Sequence, residues 1–294
     1  MNILYGTGVA LVTPFTKSGA IDYRSLERLL VHTAQGVDYY VIMGTTGESA
    51  TMTGQEKMDV LEFIKGHNPK RLPLVYGIGG NNTAQVVKEI GQAKLKGVDA
   101  LLSVSPYYNK PSQEGIYQHF KAVAKVSPVP VILYNVPGRT SSNLSAETTL
   151  RLSQLKNIIG TKEASGNIEQ CMRIAYAMPK DFQLISGDDL LTAALYALGG
   201  SGVISVLANA YPMVFKAIKL AAKKGDFKQA AAVQFSLLDI NGLMYEEGNP
   251  VGIKQVLSEM GICENHTRLP MVPASQSLRG KIRMVLRKQL KREG

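Results

Sequence analysis

The chain has 294 residues, 45% hydrophobic and 19% charged, a balance that suits a folded globular protein with a large core and excludes a disordered one. No apolar run approaches the ~18 residues that span a bilayer, and Met1-Asn-Ile-Leu-Tyr-Gly-Thr-Gly8 lacks the basic and apolar regions of an export signal, so a cytoplasmic protein is expected. The net charge of +10 raises nucleic acid as a partner, but Arg279 to Gly294 carries seven Lys/Arg against one Glu and supplies +6 of it.

In chain order, short apolar runs predict strands at Gly8–Val12, Tyr40–Met43, Leu74–Ile78, Ala100–Val104, Val129–Tyr134, Ile158–Lys162, Gln183–Ser186 and Gly202–Val206. They lack period-two alternation, as in strands buried on both faces of a parallel sheet. Amphipathic stretches lie between them. Tyr23–His32 follows a cap candidate in Asp22, and Thr53-Gly-Gln-Glu56 has the form of a capping box. Eight β/α repeats predict an α/β fold, a (β/α)8 TIM barrel over residues 1–226, with a C-terminal helical extension over 227–294. Within that extension, Ile282, Val285, Leu286 and Gln289 share one helical face and basic residues the other, which predicts a docked helix with a solvated face and no nucleic-acid or membrane partner. The structural alternative, a doubly wound open sheet, lacks its fingerprints. Gly77-Ile-Gly-Gly80 has no third glycine in place, and Gly44-Thr-Thr-Gly47 no following Lys-Ser/Thr.

The chemistry of a barrel collects at the C-terminal ends of its strands. Here those ends read Gly44-Thr-Thr-Gly-Glu-Ser49, Ser105-Pro-Tyr-Tyr-Asn-Lys-Pro111, Tyr134-Asn-Val-Pro-Gly-Arg139, Lys162-Glu163 and Ser186-Gly-Asp-Asp189. Lys162 suits three roles: Schiff-base nucleophile, general base, or half of a buried ion pair. Glu163 is a poor partner for it, because adjacent residues on a strand face opposite sides, whereas Gly160 shares its face and leaves room for a substrate or for packing. A lysine amine is almost wholly protonated at neutral pH. Nucleophilic use requires its pKa to fall from ~10.4 towards ~7–8, about 4 kcal/mol, a shift of the size that burial in a barrel mouth can supply. Tyr134, 28 residues earlier, is either a proton relay or a core tyrosine. Thr45 and Thr46 either cap a helix or bind a carboxylate. Arg139 either grips a carboxylate through both guanidinium nitrogens or forms a surface ion pair. The four histidines are scattered without metal-ligand spacing, and the two cysteines, 92 residues apart, read as buried apolar residues in a reducing compartment; no metal and no cofactor are expected.

Taken together, these strand ends resemble the dihydrodipicolinate synthase family of pyruvate-dependent class I aldolases, from Gly8-Val-Ala-Leu-Val-Thr-Pro14 to Arg268-Leu-Pro270. Gly44-Thr-Thr-Gly-Glu-Ser49, Tyr134-Asn-Val-Pro137 and Lys162-Glu163 are shared with N-acetylneuraminate lyases and keto-deoxy sugar-acid aldolases, whereas Pro137-Gly-Arg-Thr140 favours the synthase branch. The resemblance implies condensation of pyruvate with aspartate-4-semialdehyde to 4-hydroxy-tetrahydrodipicolinate, the first committed step of diaminopimelate and lysine synthesis. It implies an imine on Lys162; a proton relay of Thr45, Tyr134 and Tyr108, the last reaching a neighbouring subunit; Thr46 on the pyruvate carboxylate, chiefly through its backbone amide; Arg139 on that of the semialdehyde; and Gly187 and Ile204 lining the pocket through their backbones. It also implies a homotetramer, a dimer of dimers. The alternatives are a lyase or sugar-acid aldolase on the same barrel and, outside enzymes, an oxo-acid sensor.

The family's lysine-effector positions correspond here to Ser49, Ala50, Gly54, Lys57, Asn81, Gln85 and Tyr107. Gly54 stands where a histidine or aromatic residue is usual, Lys57 where a histidine is, and Gln85 where a glutamate meets the effector's amine. Weak or absent lysine inhibition is the expectation.

Overall fold

A computed structural model describes residues 4–293, with side chains as far as Leu290. Eight parallel strands close into a barrel in chain order: β1 (Gly6–Ala10), β2 (Tyr39–Ile42), β3 (Leu74–Gly77), β4 (Ala100–Val104), β5 (Val131–Asn135), β6 (Ile158–Glu163), β7 (Gln183–Ser186) and β8 (Gly202–Ser205). Helices separate them, as the expected (β/α)8 barrel requires. Nearly every strand residue is buried, which explains the apolar runs without alternation.

Local chemistry sets the strand limits. β1 lies two residues earlier than predicted, because Gly6 N–H already donates to the Ser201 carbonyl at 2.8 Å, while the Val12 N–H is taken by the side chain of Asn209 at 3.2 Å. β2 stops before Met43, whose φ of 58° is left-handed. β5 begins after Pro130, which has no N–H to offer the ladder.

The chain's contacts fall into two compact units. One holds the residues up to Gly8, Asp38–Ile42 and Pro73–Ser205, and the other holds Val9–Val37, Met43–Leu72 and the residues from Val206 onward. In the second, both helix starts read from the sequence are present. Asp22 accepts the Ser25 N–H at 3.0 Å ahead of helix Tyr23–Thr33, and Thr53 and Glu56 cap one another at 3.2 and 2.9 Å ahead of helix Gly54–His67. The last helix, Gln276–Glu293, buries Ile282 and partly buries Val285, Leu286 and Gln289, while Lys281, Arg283, Arg287 and Lys288 are exposed. Among the described residues no helix is long and apolar enough to cross a membrane.

Candidate active site

The first unit carries the lysine and the tyrosine. β5 and β6 pair with Val131 opposite Ile158, then Ile132 opposite Gly160, so Ile159 is one extra residue in β6. An unbroken ladder would set Thr161 against Tyr134; the extra residue sets Lys162 there, and Asn135 against Glu163. Alternation then sorts the side chains. Glu163 faces outward, where its carboxylate accepts from Asn135 Nδ2 (3.0 Å), Gln170 Nε2 (2.8 Å) and the Ser165 N–H (2.8 Å), with Gln170 lying on helix Ile168–Ala177. Lys162 and Tyr134 therefore face the barrel interior.

Lys162 is 6% exposed. Its Nζ lies 4.3 Å from the centroid of the Tyr134 ring, and among the described residues it makes no ion pair or hydrogen bond. Of the three roles read for it, the buried ion pair is thereby removed. What remains is an amine held against the face of a phenol ring.

Small residues fit where strands crowd. A Cβ on Gly160 would fall 2.6 Å from the Gln183 carbonyl oxygen, so packing against β7 accounts for this glycine. A Cβ on Gly187 would meet Ala164 Cβ at 2.5 Å, and its N–H donates to the Glu163 carbonyl at 2.7 Å. Ile204 is fully buried on β8, on the same face as Gly202, which pairs with Ile185, itself opposite Lys162.

Arg139 sits in the short helix Pro137–Thr140 after β5, exposed, with no ion-pair partner among the described residues. The surface ion pair read as its alternative is absent there. Tyr108, after β4, is 88% exposed with a φ of 70°, a left-handed conformation that costs a non-glycine residue ~1–3 kcal/mol. Tyr107 is exposed, and the Asn81 carbonyl accepts from Asn109 Nδ2 at 3.0 Å; Gln85 donates its N–H to the cap residue Asn82.

In the second unit, Thr45 and Thr46 form a 3-10 turn, Thr45–Gly47, directly after β2. Thr45 is exposed and Thr46 buried. Thr13 Oγ1 donates to the Gly47 carbonyl at 2.7 Å, and Asn249 Nδ2 donates to Thr46 Oγ1 at 3.0 Å. Glu48, buried with a left-handed φ of 54°, closes the turn. Its carboxylate is paired with Lys254, which is fully buried in helix Val251–Glu259, and also accepts the Arg268 N–H at 3.0 Å. Lys254 donates to the His266 carbonyl at 2.8 Å, and the Arg268 guanidinium grips Glu56 and the Gly19 carbonyl. Burial lowers the Lys254 pKa despite Glu48. Ser49 and Ala50 follow in a second 3-10 turn, and a Cβ on Gly54 would meet nothing within 4 Å.

The sequence reading did not single out Lys254, Arg268 as an ion-pair partner, or Asn249. One signal was available: Lys254 is the single charged residue of the mostly apolar Val251-Gly-Ile-Lys-Gln-Val-Leu257, where a lone cation implies a buried partner. Both cysteines are buried and free, and burial pushes the Cys171 thiol up to about 11 and Cys263 to about 12, which leaves neither as a nucleophile.

An unpaired lysine amine set against a tyrosine ring at the ends of β5 and β6 marks the chain as a (β/α)8-barrel protein of the lysine-bearing kind. It belongs to the Dihydrodipicolinate synthetase family, which it matches over residues 4–289. It is 53% identical over 283 residues to the 4-hydroxy-tetrahydrodipicolinate synthase of Cytophaga hutchinsonii, covering 96% of this chain and 95% of that one. With the Flavobacterium psychrophilum protein of the same name it shares 48% identity, covering 96% and 97%. Among solved structures, the chloride-inhibited dihydrodipicolinate synthase of Acinetobacter baumannii complexed with pyruvate superposes with a TM-score of 0.93 at 38% identity, covering 97% of this chain and 98% of that one.

Proposed function

We propose that this protein is a cytoplasmic 4-hydroxy-tetrahydrodipicolinate synthase, condensing pyruvate with L-aspartate-4-semialdehyde in the first committed step of diaminopimelate and lysine synthesis. The observation that carries the reading is Lys162, buried, without an ion pair among the described residues and against Tyr134, in a chain of this family. The Lys162 amine attacks the pyruvate keto carbon, and loss of water leaves an imine. The imine acts as an electron sink while a methyl proton leaves, and the resulting enamine carbon adds to the aldehyde. Tyr134 and Thr45 relay protons in these steps, Thr46 takes the pyruvate carboxylate, and Gly187 and Ile204 line the pocket.

Arg139, exposed and without a carboxylate partner among the described residues, suits the carboxylate of the semialdehyde. Tyr108 supports an oligomer: an exposed aromatic in a costly backbone conformation suits a residue that completes the relay of a neighbouring subunit, in a dimer of dimers. The test is borohydride reduction in the presence of pyruvate, followed by intact mass and peptide mapping. A reduced pyruvate adduct on Lys162, lost in Lys162→Ala, is expected together with product formation from the two substrates. An adduct accompanied only by cleavage of sialic acid or a keto-deoxy sugar acid would move the protein to the lyase branch. No adduct at all would leave an oxo-acid sensor.

A further inference from the structure

The Thr46 hydroxyl is a polar group with one of its two capacities already used. Thr46 is 3% exposed, its Oγ1 accepts from Asn249 Nδ2 at 3.0 Å, and its proton has no acceptor among the described residues. Asn249 is 8% exposed, and its Oδ1 is buried without a partner. The opposite arrangement of that amide would let Oδ1 take the Thr46 proton, and the hydroxyl would then have nothing to donate. With Nδ2 on the Thr46 oxygen, the hydroxyl is committed to donation, the sense an anionic acceptor requires.

The surrounding charges hold both partners. Asn249 lies two positions before helix Val251–Glu259, and Lys254 of that helix is paired with Glu48, two residues beyond Thr46. The second oxygen of Glu48 accepts the Arg268 N–H at 3.0 Å, and Lys254 and Arg268 each lie over the Phe15 ring, at 4.3 and 4.5 Å. The turn and the asparagine are thus joined twice, once by the amide and once by a buried ion pair.

We infer that Asn249 is a positioning residue for substrate recognition: by donating to Thr46 Oγ1 it fixes the Thr46 hydroxyl as a donor to the carboxylate of the oxo-acid substrate. This rests on the reading of the protein as a pyruvate-binding synthase. Asn249 acts through Thr46, so its effect falls on the pyruvate concentration needed to load the enzyme and not on the chemistry of the loaded form.

The experiment measures the pyruvate concentration that half-saturates borohydride trapping on Lys162, together with both Michaelis constants, in the full-length protein. Asn249→Asp replaces the donor by an acceptor that takes the Thr46 proton, and half-saturation is expected to rise about ten- to hundredfold. Asn249→Ala raises it less. In both, trapping at saturating pyruvate and the semialdehyde Michaelis constant stay within about twofold of wild type, and in a Thr46→Val background Asn249→Ala adds less than about twofold. Half-saturation within about twofold of wild type in both single variants would overturn the inference, as would an undiminished Asn249→Ala effect in the Thr46→Val background. If Asn249→Asp does not fold, Asn249→Ala and the double variant decide. Absence of an adduct in the wild type is the distinct result that removes the synthase reading, and this inference with it.

Discussion

Lys162 stands opposite Tyr134 because β6 carries one residue more than β5 below them, and its Nζ consequently lies 4.3 Å from the centre of the phenol ring. Ring and hydroxyl are separable in function. Tyr134→Phe keeps the apolar face against Lys162 and removes only the group able to move a proton. Trapping of the pyruvate adduct is expected to persist, while turnover falls ~10²- to 10⁴-fold, the usual worth of a positioned acid or base. Turnover within threefold of wild type would remove Tyr134 from the relay.

Arg139 has neither burial nor, among the described residues, an ion pair to account for it. Replacement by Ala is expected to leave folding and the pyruvate adduct unchanged and to raise the semialdehyde Michaelis constant by about tenfold or more, the worth of a charge-assisted hydrogen bond. Unchanged steady-state constants for the semialdehyde would leave the guanidinium without this role.

The barrel was legible because strands buried on both faces must be apolar throughout, and eight such runs separated by helical stretches have few other solutions. Separating Lys162 from Glu163 needed only the alternation of a strand, and the outward network of Asn135, Glu163 and Gln170 follows it. Long-range polar partners were not legible. Glu48 and Lys254 are 206 residues apart, and the spacing of each says nothing about the other. Nor does the apolar run before Asn135 announce the extra residue in β6, since Ile159 looks like any strand residue until its neighbour is known.

The effector positions give a third prediction. If the positions that the resemblance implies for a lysine effector form that pocket here, Lys57 adds a positive charge and Gln85 lacks a negative one, while Gly54 offers no side chain and opens onto empty space. A cationic amino acid meets less favourable electrostatics there. Lysine is expected to inhibit weakly or not at all in a steady-state assay, and a submillimolar inhibition constant would overturn this.

Lys254 is fully buried, so removing its charge alone strands the Glu48 carboxylate. Lys254→Met is expected to destabilise the protein by ~3–5 kcal/mol, seen as a lower midpoint in urea, because the carboxylate keeps its desolvation cost and loses its counter-ion. Adding Glu48→Gln removes the stranded charge and recovers a large part of the loss. A double variant as unstable as Lys254→Met would show that packing around the lysine stem, and not the charge pair, sets the cost.

His119 connects stability to pH. It lies in helix Gln113–Val126, buried, with Nδ1 2.9 Å from Thr83 Oγ1 and Nε2 buried without a partner. Burial holds its pKa down, from 6.5 to about 4, so the folded protein keeps the ring neutral where the unfolded chain protonates it. The unfolded state therefore binds the extra proton between about pH 6.5 and pH 4, and stability rises with pH across that window. His119 thus accounts for a loss of ~3 kcal/mol as the pH falls from about 6.5 to about 4, with little further loss below it. Urea unfolding across that range should show this slope in the wild type and a shallower one in His119→Gln, where nothing titrates at the site. Parallel slopes in the two proteins would place the acid sensitivity of that window in another group, and that group is not Glu56: the Arg268 guanidinium holds its carboxylate down at about 2, so its contribution is lost only as the pH falls from about 4.5 towards 2.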